Sequence, residues 1–370
     1  MRLVPRDAAD VATIVAGATR ALEPLGGGSK RDIGKPVAAD VLDLSALAGI
    51  VDYEPAELVL TARAATPLAT IEGTLGAHSQ RLAFEPPDFG RLLGLERPQT
   101  LGGVLAANLA GSRRVTAGAA RDHFLGFRAV AGSGEPFKAG GKVVKNVTGY
   151  DLPKLLAGSW GTLAVLTEVT IRVAPAPELD RTLVLAAGST GECLALLGAA
   201  LRSSHDVSAA AVDPERGSLL RLEGFAASVE ARTRALRDEL RCEPDAVLEG
   251  DGSRECWQAL ASGAALAASP VVWRCSVPPA EALAVLDRLA PDRYLLDWGG
   301  GLILAAFARV DSAHVRGALR SGHATLLKAP AAARAVTPVF QPQLPAVAAV
   351  ALRLKSAFDP RGILNPGRMS

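Results

Sequence analysis

Main-chain amides, a hydroxyl and a lysine set close together can hold an anion, and the first half of the chain offers stretches suited to it three times. Residues 22–30 read L-E-P-L-G-G-G-S-K, a short apolar strand running into three glycines, Ser29 and Lys30. Consecutive backbone N–H groups there can form an anion-binding concavity, with Ser29 adding a donor. A plain turn is the competing reading. Residues 98–122 hold Gly102, Gly103, Gly111 and Gly118 among small side chains, with almost no bulk to fill a core. Such a run serves where backbone must pass close to something else. A large flat anionic ligand lying along the main chain satisfies it, and so does a glycine-rich surface loop. The third stretch is 149–165. Together the three could cover the pyrophosphate, ribose and ring system of a dinucleotide.

Motifs that would fix the chemistry further are missing. Gly34-Lys35 is followed by Pro36, so the Mg²⁺-ligating Ser or Thr of a P-loop is absent. No G-x-G-x-x-G fingerprint occurs, which excludes a Rossmann site. Residues 157–161, A-G-S-W-G, imitate a nucleophile elbow with Ala in the first position. The elbow needs a strand before and a helix after, whereas here a helix precedes and a strand follows. Cys193, Cys242, Cys256 and Cys275 are separated by 49, 14 and 19 positions. That spacing spells neither a zinc site nor an iron–sulfur cluster, and no His/Asp/Glu set has metal-ligand spacing.

The elements that must position these loops can be read from periodicity. Residues 7–20 place Val11, Ile14, Val15 and Ala18 on one helical face. Residues 41–44 and 57–62 read as strands, and Thr66-Pro67 opens a helix through Leu75 with Pro at its first position. This gives a βαβ-like unit to about residue 85, followed by the stiff crossing F-E-P-P-D, 84–88. Residues 125–130 and 137–138 read as a hairpin about Gly132 to Glu135. Val169, Ile171 and Val173 alternate with Glu168, Thr170 and Arg172 as a strand with one wet face. Pro175 and Pro177 then close a first domain. From Thr182 the order is strand (182–187), helix (191–203), strands (207–213, 218–224), helix (227–240), strand (near 246). After a helix at 254–267 it returns as strand (271–276), helix (280–290), strands (293–297, 301–309), helix (312–320), strand (323–328). Two β-α-β-β-α-β cycles imply a ferredoxin-like duplication, or one broad antiparallel sheet with helices on one face. A last helix, 347–358, leads to a tail whose two prolines and two glycines fix its path and predict that it docks on the body. The division expected is 1–177, 178–335 and 336–370.

Composition sets the outer bounds. At 370 residues the chain exceeds one ordinary core. With 49% hydrophobic and 21% charged residues it is expected to fold as a soluble protein. A formal net charge of +2 without a basic block removes the electrostatic case for nucleic acid. Met1-Arg2-Leu3 leads straight into charged, helix-like sequence, so no secretory leader is expected. The scattered cysteines suit reduced thiols in the cytoplasm. The longest apolar run, 259–268, is too short to span a bilayer.

Eight segments then fall in a recognisable order: G-G-G-S-K (26–30), Y-E-P-A-E-L-V-L-T-A (53–62), F-E-P-P (84–87), T-L-G-G (100–103), A-G-A-A-R-D-H-F-L-G (117–126), K-N-V-T-G-Y-D (145–151), G-T-L-A-V-L-T-E-V (161–169) and F-D-P-R-G-I-L-N-P-G-R (358–368). In these the chain resembles the FAD-binding domain of the vanillyl-alcohol oxidase and p-cresol methylhydroxylase (PCMH-type) superfamily. Within it, the chain is similar to the small flavin subunits of bacterial glycolate oxidases. The resemblance implies an α+β fold: a PCMH-type domain of two α/β subdomains, plus a second, antiparallel ferredoxin-like domain. It also implies roles for individual residues. Gly26, Gly27, Gly28, Ser29 and Lys30 would hold the FAD pyrophosphate. Thr100, Leu101, Gly102 and Gly103 would line the flavin and pyrophosphate, near Asn108 and Gly111, and Gly118, Arg121 and Asp122 would continue that wall. Gly161, Thr162, Leu163, Ala164 and Val165 would meet the adenine end, and Asn365 would lie on the flavin side. Ala164 stands where the family often has Gly, a methyl group expected to be tolerated. Some members attach FAD through a histidine in the first loop. None occurs between Met1 and Lys30, so non-covalent FAD is expected, with His123 the nearest alternative.

The implied reaction is oxidation of a 2-hydroxy acid, which needs an Arg for the carboxylate and often a His for the hydroxyl proton. Of His78, His123, His205, His314 and His323, the last is the best candidate, against a structural or solvent-facing role. Arg113 and Arg114 could pair with substrate, cofactor phosphate or a partner. Trp273-Arg274 and Asp297-Trp298-Gly299 read as core tryptophans with an exposed arginine. The resemblance implies a complex with a larger FAD-binding subunit and an iron–sulfur subunit, and contact with the inner membrane only through that complex. A stand-alone D-lactate-type dehydrogenase and a non-catalytic scaffold are the alternatives.

Overall fold

The computed structural model describes residues 1–142, 149–186 and 188–369. Residues 145–148 of the K-N-V-T-G-Y-D segment, and the last residue of the strand expected at 182–187, lie outside them. At the N-terminus β1 (Arg2–Leu3), β2 (Leu22–Leu25) and β3 (Asp40–Asp43) form a parallel sheet in the order β1-β3-β2. Helix α1 (Ala8–Gly17) covers it. The Asp7 side chain accepts from the Asp10 amide at its first turn, and Val11 and Val15 are buried against Leu22 and Leu42.

A second, antiparallel sheet runs β4 (Ile50–Glu54), β5 (Val59–Arg63), β9 (Ala164–Pro175), β7 (Phe124–Ala131), β8 (Pro136–Gly140), with β6 (Gln80–Leu82) also paired to β9. The expected face of Val169, Ile171 and Val173 is buried in its core. The other face is drier than expected, since Thr61 and Thr170 share a buried hydrogen bond of 2.9 Å across β5 and β9. Strands β5 and β6 both run antiparallel to β9 and so parallel to each other. Helix α2 (Leu68–Gly76) joins them as the βαβ-like unit. Pro67 is not its first residue. The Leu68 amide donates to the Gln99 carbonyl at 3.0 Å, which keeps Pro67 extended in a bridge with Thr100 and starts the helix one residue later. The short helices α3 (Gly90–Leu93), α4 (Leu101–Ala107), α5 (Arg114–Ala117) and α6 (Leu152–Leu156) complete this half.

The third sheet has eight strands. The first cycle supplies β10 (Leu179–Leu185), β11 (Val207–Asp213), β12 (Gly217–Gly224) and β13 (Ala246–Glu249), with helices α7 (Thr190–Arg202) and α8 (Ala226–Leu240). Helix α9 (Gly250–Ala261) leads to the second cycle: β14 (Val271–Ser276), β15 (Arg293–Asp297), β16 (Leu302–Phe307) and β17 (His323–Lys328), with α10 (Ala282–Leu289) and α11 (Ser312–Gly317). The order β13-β10-β12-β11-β15-β16-β14-β17 reads 4-1-3-2 and then 2-3-1-4. The two expectations are therefore one object: two ferredoxin-like units joined edge to edge where β11 meets β15. The four helices of the units pack on one face through Leu197, Leu236, Val285 and Val315. The linking helix α9 lies on the other, where Trp257 packs on Ala209, Ala211 and Leu219.

That other face also packs on the first half. Val272, Leu304 and Leu327 share a cluster with Ala107 and Trp160. This cover corrects the expectation for Arg274. On β14, Trp273 faces the helices and Arg274 faces the opposite way, so both sides of the strand are buried. Helices α12 (Ala331–Val336) and α13 (Pro345–Phe358) bring the chain back. In the tail the buried Asp359 accepts from the Ile363 and Leu364 amides and from Lys355, whose ammonium also donates to the Thr162 carbonyl. Leu364 then bridges to Leu22 alongside β2.

Candidate functional site

Strand β2 ends at Leu25 and hands the chain to Gly26, Gly27 and Gly28. Two of these glycines answer to a neighbouring loop. A Cβ on Gly26 would stand 2.5 Å from Thr100 Oγ1, and one on Gly27 would strike the Pro98 carbonyl. The first glycine stretch therefore lies directly on the second. In the second, α4 begins at Leu101, with Thr100 Oγ1 accepting from the Gly103 amide. The Gly102 amide donates to the Ala64 carbonyl at 2.7 Å, which leaves no room there for a side chain. Gly103, one residue on, is exposed and turned to open space. The third stretch arrives through Gly158 and Trp160, whose amides donate to Leu105 and Ala106 near the end of α4.

Between them lies a cleft of about 900 Å³, its mouth included. Its wall contains Gly26, Gly27, Gly28, Ser29, Lys30, Thr100, Gly102, Gly103, Gly161, Ala164, Val165 and Asn365 of the expected set. The other expected residues stand behind or beside it. Leu101 is in the core. Asn108 caps α4 in the left-handed conformation, and its Oδ1 accepts from the Arg121 amide at 3.0 Å. Gly118 turns the chain over Asp122, which accepts from the Ala119 amide. The Gly111 amide donates to the Glu85 carbonyl, and its own carbonyl accepts from Trp298 Nε1 of the third sheet. Thr162 donates to Ser159, and Leu163 packs in the second sheet's core. His123 stacks on Phe84, with its Nε2 2.7 Å from the Ala117 carbonyl.

Several wall residues carried no motif. Glu23, buried beneath the first loop, holds Arg31 and Arg368 at 2.6 Å each. Arg368 also donates to the Ile33 carbonyl, so the tail clamps the first glycine loop. Trp160 adopts φ +53°, and its carbonyl accepts from Asn365 Nδ2 at 2.8 Å. Ala64, Ala65 and Ala106 are simply small. In sequence Glu23, Trp160 and Arg368 lay inside segments already singled out, but nothing there gave them a role.

The wall's chemistry suits an anionic, partly aromatic ligand. Burial pushes the Lys30 ammonium down to about 8, and its single hydrogen-bond acceptor among the described residues is Gln99 Oε1. Asn365 Oδ1 is buried without a donor, which costs free energy unless a ligand supplies one. The Gly103 surface admits close approach to the main chain. These three features fit a dinucleotide whose phosphates meet Lys30 and whose ring carries N–H groups.

The two residues expected in proton transfer and carboxylate binding lie elsewhere. Arg113 is buried between the halves and paired with Glu223 at 3.2 Å. His323 is exposed at the start of β17, its ring held below the usual imidazole value by burial and by Arg274. Neither lines the cleft. Among the described residues no three His, Cys, Asp or Glu side chains are grouped to hold a metal ion, and no helix is long and apolar enough to cross a membrane.

Comparison with known proteins agrees with this geometry. The model of the FAD binding domain family matches residues 1–140. Glycolate oxidase subunit GlcE of Escherichia coli is 34% identical over 347 residues, covering 93% of this chain and 91% of that protein. Glycolate oxidase subunit GlcD of Bacillus subtilis is 35% identical over 125 residues, 34% of this chain and 26% of that one. Among solved structures, alkyldihydroxyacetonephosphate synthase superposes with a TM-score of 0.70 at 17% identity, over 99% of this chain and 76% of that one. It shares the fold.

Proposed function

The chain belongs to the family of FAD-binding oxidoreductases that includes glycolate oxidase subunit GlcE, and from that premise we propose that it is the small flavin subunit of a glycolate-oxidising complex. The observation that carries the reading is the likeness to GlcE along almost the whole of both chains. The likeness to GlcD, over 34% of this chain, suggests the larger flavin subunit as a related partner. In this reading an iron–sulfur subunit takes the electrons, the complex lies in the cytoplasm, and any membrane contact is made through partners. The division of the chain near Pro175–Pro177 into an FAD domain and a second domain belongs to the same proposal.

FAD, when bound, supplies a hydride acceptor. This chain's residues would do the rest. The amides of 26–29 and Lys30 would neutralise the pyrophosphate, and Gly103 would let the main chain lie against the ring system. Asn365 would accept from a ring N–H, while Trp160 and the small residues behind α4 exclude water. Attachment is non-covalent in this proposal, because no described wall residue is His, Cys or Tyr. Purified chain is expected to carry about one FAD, all of it released by acid, and to bleach with glycolate only in the assembled complex. A colourless chain that does not take up added FAD would overturn the reading. Bleaching by glycolate in the isolated chain would favour a self-sufficient dehydrogenase.

Lys30 gives this proposal a pH signature. In the free protein its ammonium is lost near pH 8, whereas pyrophosphate beside it would keep the proton on. FAD affinity is therefore expected to be level below pH 8 and to fall above it, by up to about tenfold per pH unit. Titration of apoprotein with FAD across pH 7–10 reads this. Lys30→Met should bind more weakly and lose the dependence, and an unchanged slope in that variant would remove Lys30 from the phosphate site.

A further inference from the structure

We propose that Arg274, with Thr325 and His323, forms a binding subsite for a small carboxylate on the face of the third sheet turned to the FAD-binding half. Six arginines are buried among the described residues. Five hold a carboxylate, as Arg221 holds Asp180 and Arg368 holds Glu23. Arg274, 6% exposed, makes no hydrogen bond and no ion pair among the described residues. The Trp298 ring lies 4.8 Å from its guanidinium carbon, an interaction that leaves the N–H edge free. The acid that acts on it most, Asp297, already accepts from the Ser112 hydroxyl and the Trp298 amide, each at 2.7 Å.

Neighbouring positions repeat the pattern. Thr325 stands opposite Arg274 in the β14–β17 register, and His323 stands opposite Ser276. All are on the face away from Trp273 and Cys275. Thr325 is a buried residue, His323 is exposed, and neither the hydroxyl nor the imidazole has a hydrogen-bond partner among the described residues. A largely buried charge without a partner is costly. A carboxylate would take two parallel N–H bonds from the guanidinium fork and a third from the hydroxyl. Val272, two residues before Arg274 on the same face, packs with the cleft-wall residues Ala107 and Trp160. The subsite thus stands one side-chain pair, about 7 Å along the strand, beyond the cleft's inner wall. The choice of a carboxylate over another anion rests on the 2-hydroxy-acid reading above.

The test is equilibrium binding of oxalate to the FAD-loaded protein by calorimetry, with unliganded melting temperature measured in parallel. Oxalate is expected to bind the wild type and to raise its melting temperature. Arg274→Met should lose at least tenfold in oxalate affinity yet melt at or above the wild-type temperature without ligand, since it removes an unpartnered buried charge. Arg274→Lys, which keeps the charge and loses the fork, and Thr325→Val should each weaken oxalate several-fold. The proposal is overturned by wild type that does not bind oxalate, by variants that all bind it equally, or by Arg274→Met melting several degrees lower, the mark of a structural arginine. Inorganic phosphate binding as tightly as oxalate with the same dependence on Arg274 overturns the carboxylate assignment. None of these readouts needs turnover. Oxalate binding through Arg274 without glycolate oxidation by the complex would therefore fail the functional reading and leave the subsite standing.

Discussion

Replacing Gly103 by valine should yield a folded protein that retains less than about a tenth of the wild-type flavin. The position is in the first turn of α4, where the backbone is helical and any L-residue fits. A Cβ there meets only Thr100 Oγ1, at 3.1 Å, and otherwise points to open space. The added methyl groups therefore enter the cleft, where proposed ligand and main chain would otherwise touch. Overlap of that kind is not relieved by rotamer change, because every valine rotamer is fixed by its branched Cβ. Flavin absorbance per chain and the far-UV spectrum measure the two halves of the statement. The neighbouring Gly102→Ala is expected to behave oppositely, damaging the fold first, since its methyl would lie 2.8 Å from the Ala64 carbonyl and Cβ. Wild-type flavin content in Gly103→Val would place the cofactor away from α4.

Arg221→Met should cost about 3–5 kcal/mol of stability, the usual result of stranding buried anions by removing their cation. Arg221 is 2% exposed. Its Nε and Nη2 donate to Asp180, and Nη1 donates to Glu85 at 2.8 Å, across the junction between the second half and the stiff F-E-P-P crossing. Glu223 beside it is shared with Arg113 and Arg81. Methionine keeps the length and removes the charge, leaving Asp180 with only Ser253 as a donor side chain among the described residues. Urea unfolding measures the loss, and a cost under 1 kcal/mol would show that the network is not what joins the halves. Replacing Asp180 by leucine in the same chain should recover part of the stability, because the stranded charge is then gone.

The same network sets a direction in acid. Burial alone would raise the Glu223 carboxyl, but Arg221, Arg113 and Arg81 outweigh it and hold the group at about 2, below its ordinary 4.5. A carboxyl depressed in the folded state contributes stability that is full above 4.5 and lost as pH falls toward 2. Wild type should therefore weaken through that window, and Arg221→Met should weaken less steeply there.

The sequence carried a great deal of the second half. Its strands and helices are short and punctuated, their apolar alternation is regular, and the two cycles place all eight strands within a few residues of where they lie. The glycine loops were legible as places of close backbone approach, although Leu101, Val104 and Leu105 of 98–122 also pack in the second sheet's core. What periodicity could not supply was the order of strands between the cycles. That order depends on β11 and β15 pairing at Val212 and Leu296, an edge contact with no local signature. Arg274 was misread for a related reason. Alternation says that Trp273 and Arg274 face opposite sides, but not that the FAD-binding half covers the second side.

The site divides the same way. Composition and spacing alone determined where main chain is free of bulky side chains and left open whether a ligand or a plain surface loop used that freedom. Only the folded chain decided which glycines face the cleft. Gly27 and Gly102 are glycine because another stretch of backbone touches them, Gly26 because the Thr100 side chain does, and Gly118 because it turns over Asp122, whereas Gly103 opens on the cleft. Nothing local distinguishes these cases, since each is a demand made by a distant neighbour. The clamp of Glu23, Arg31 and Arg368 joins residues 345 positions apart. Such a pairing follows from where β2 and the returning tail meet in space, which no residue's own neighbours along the chain record.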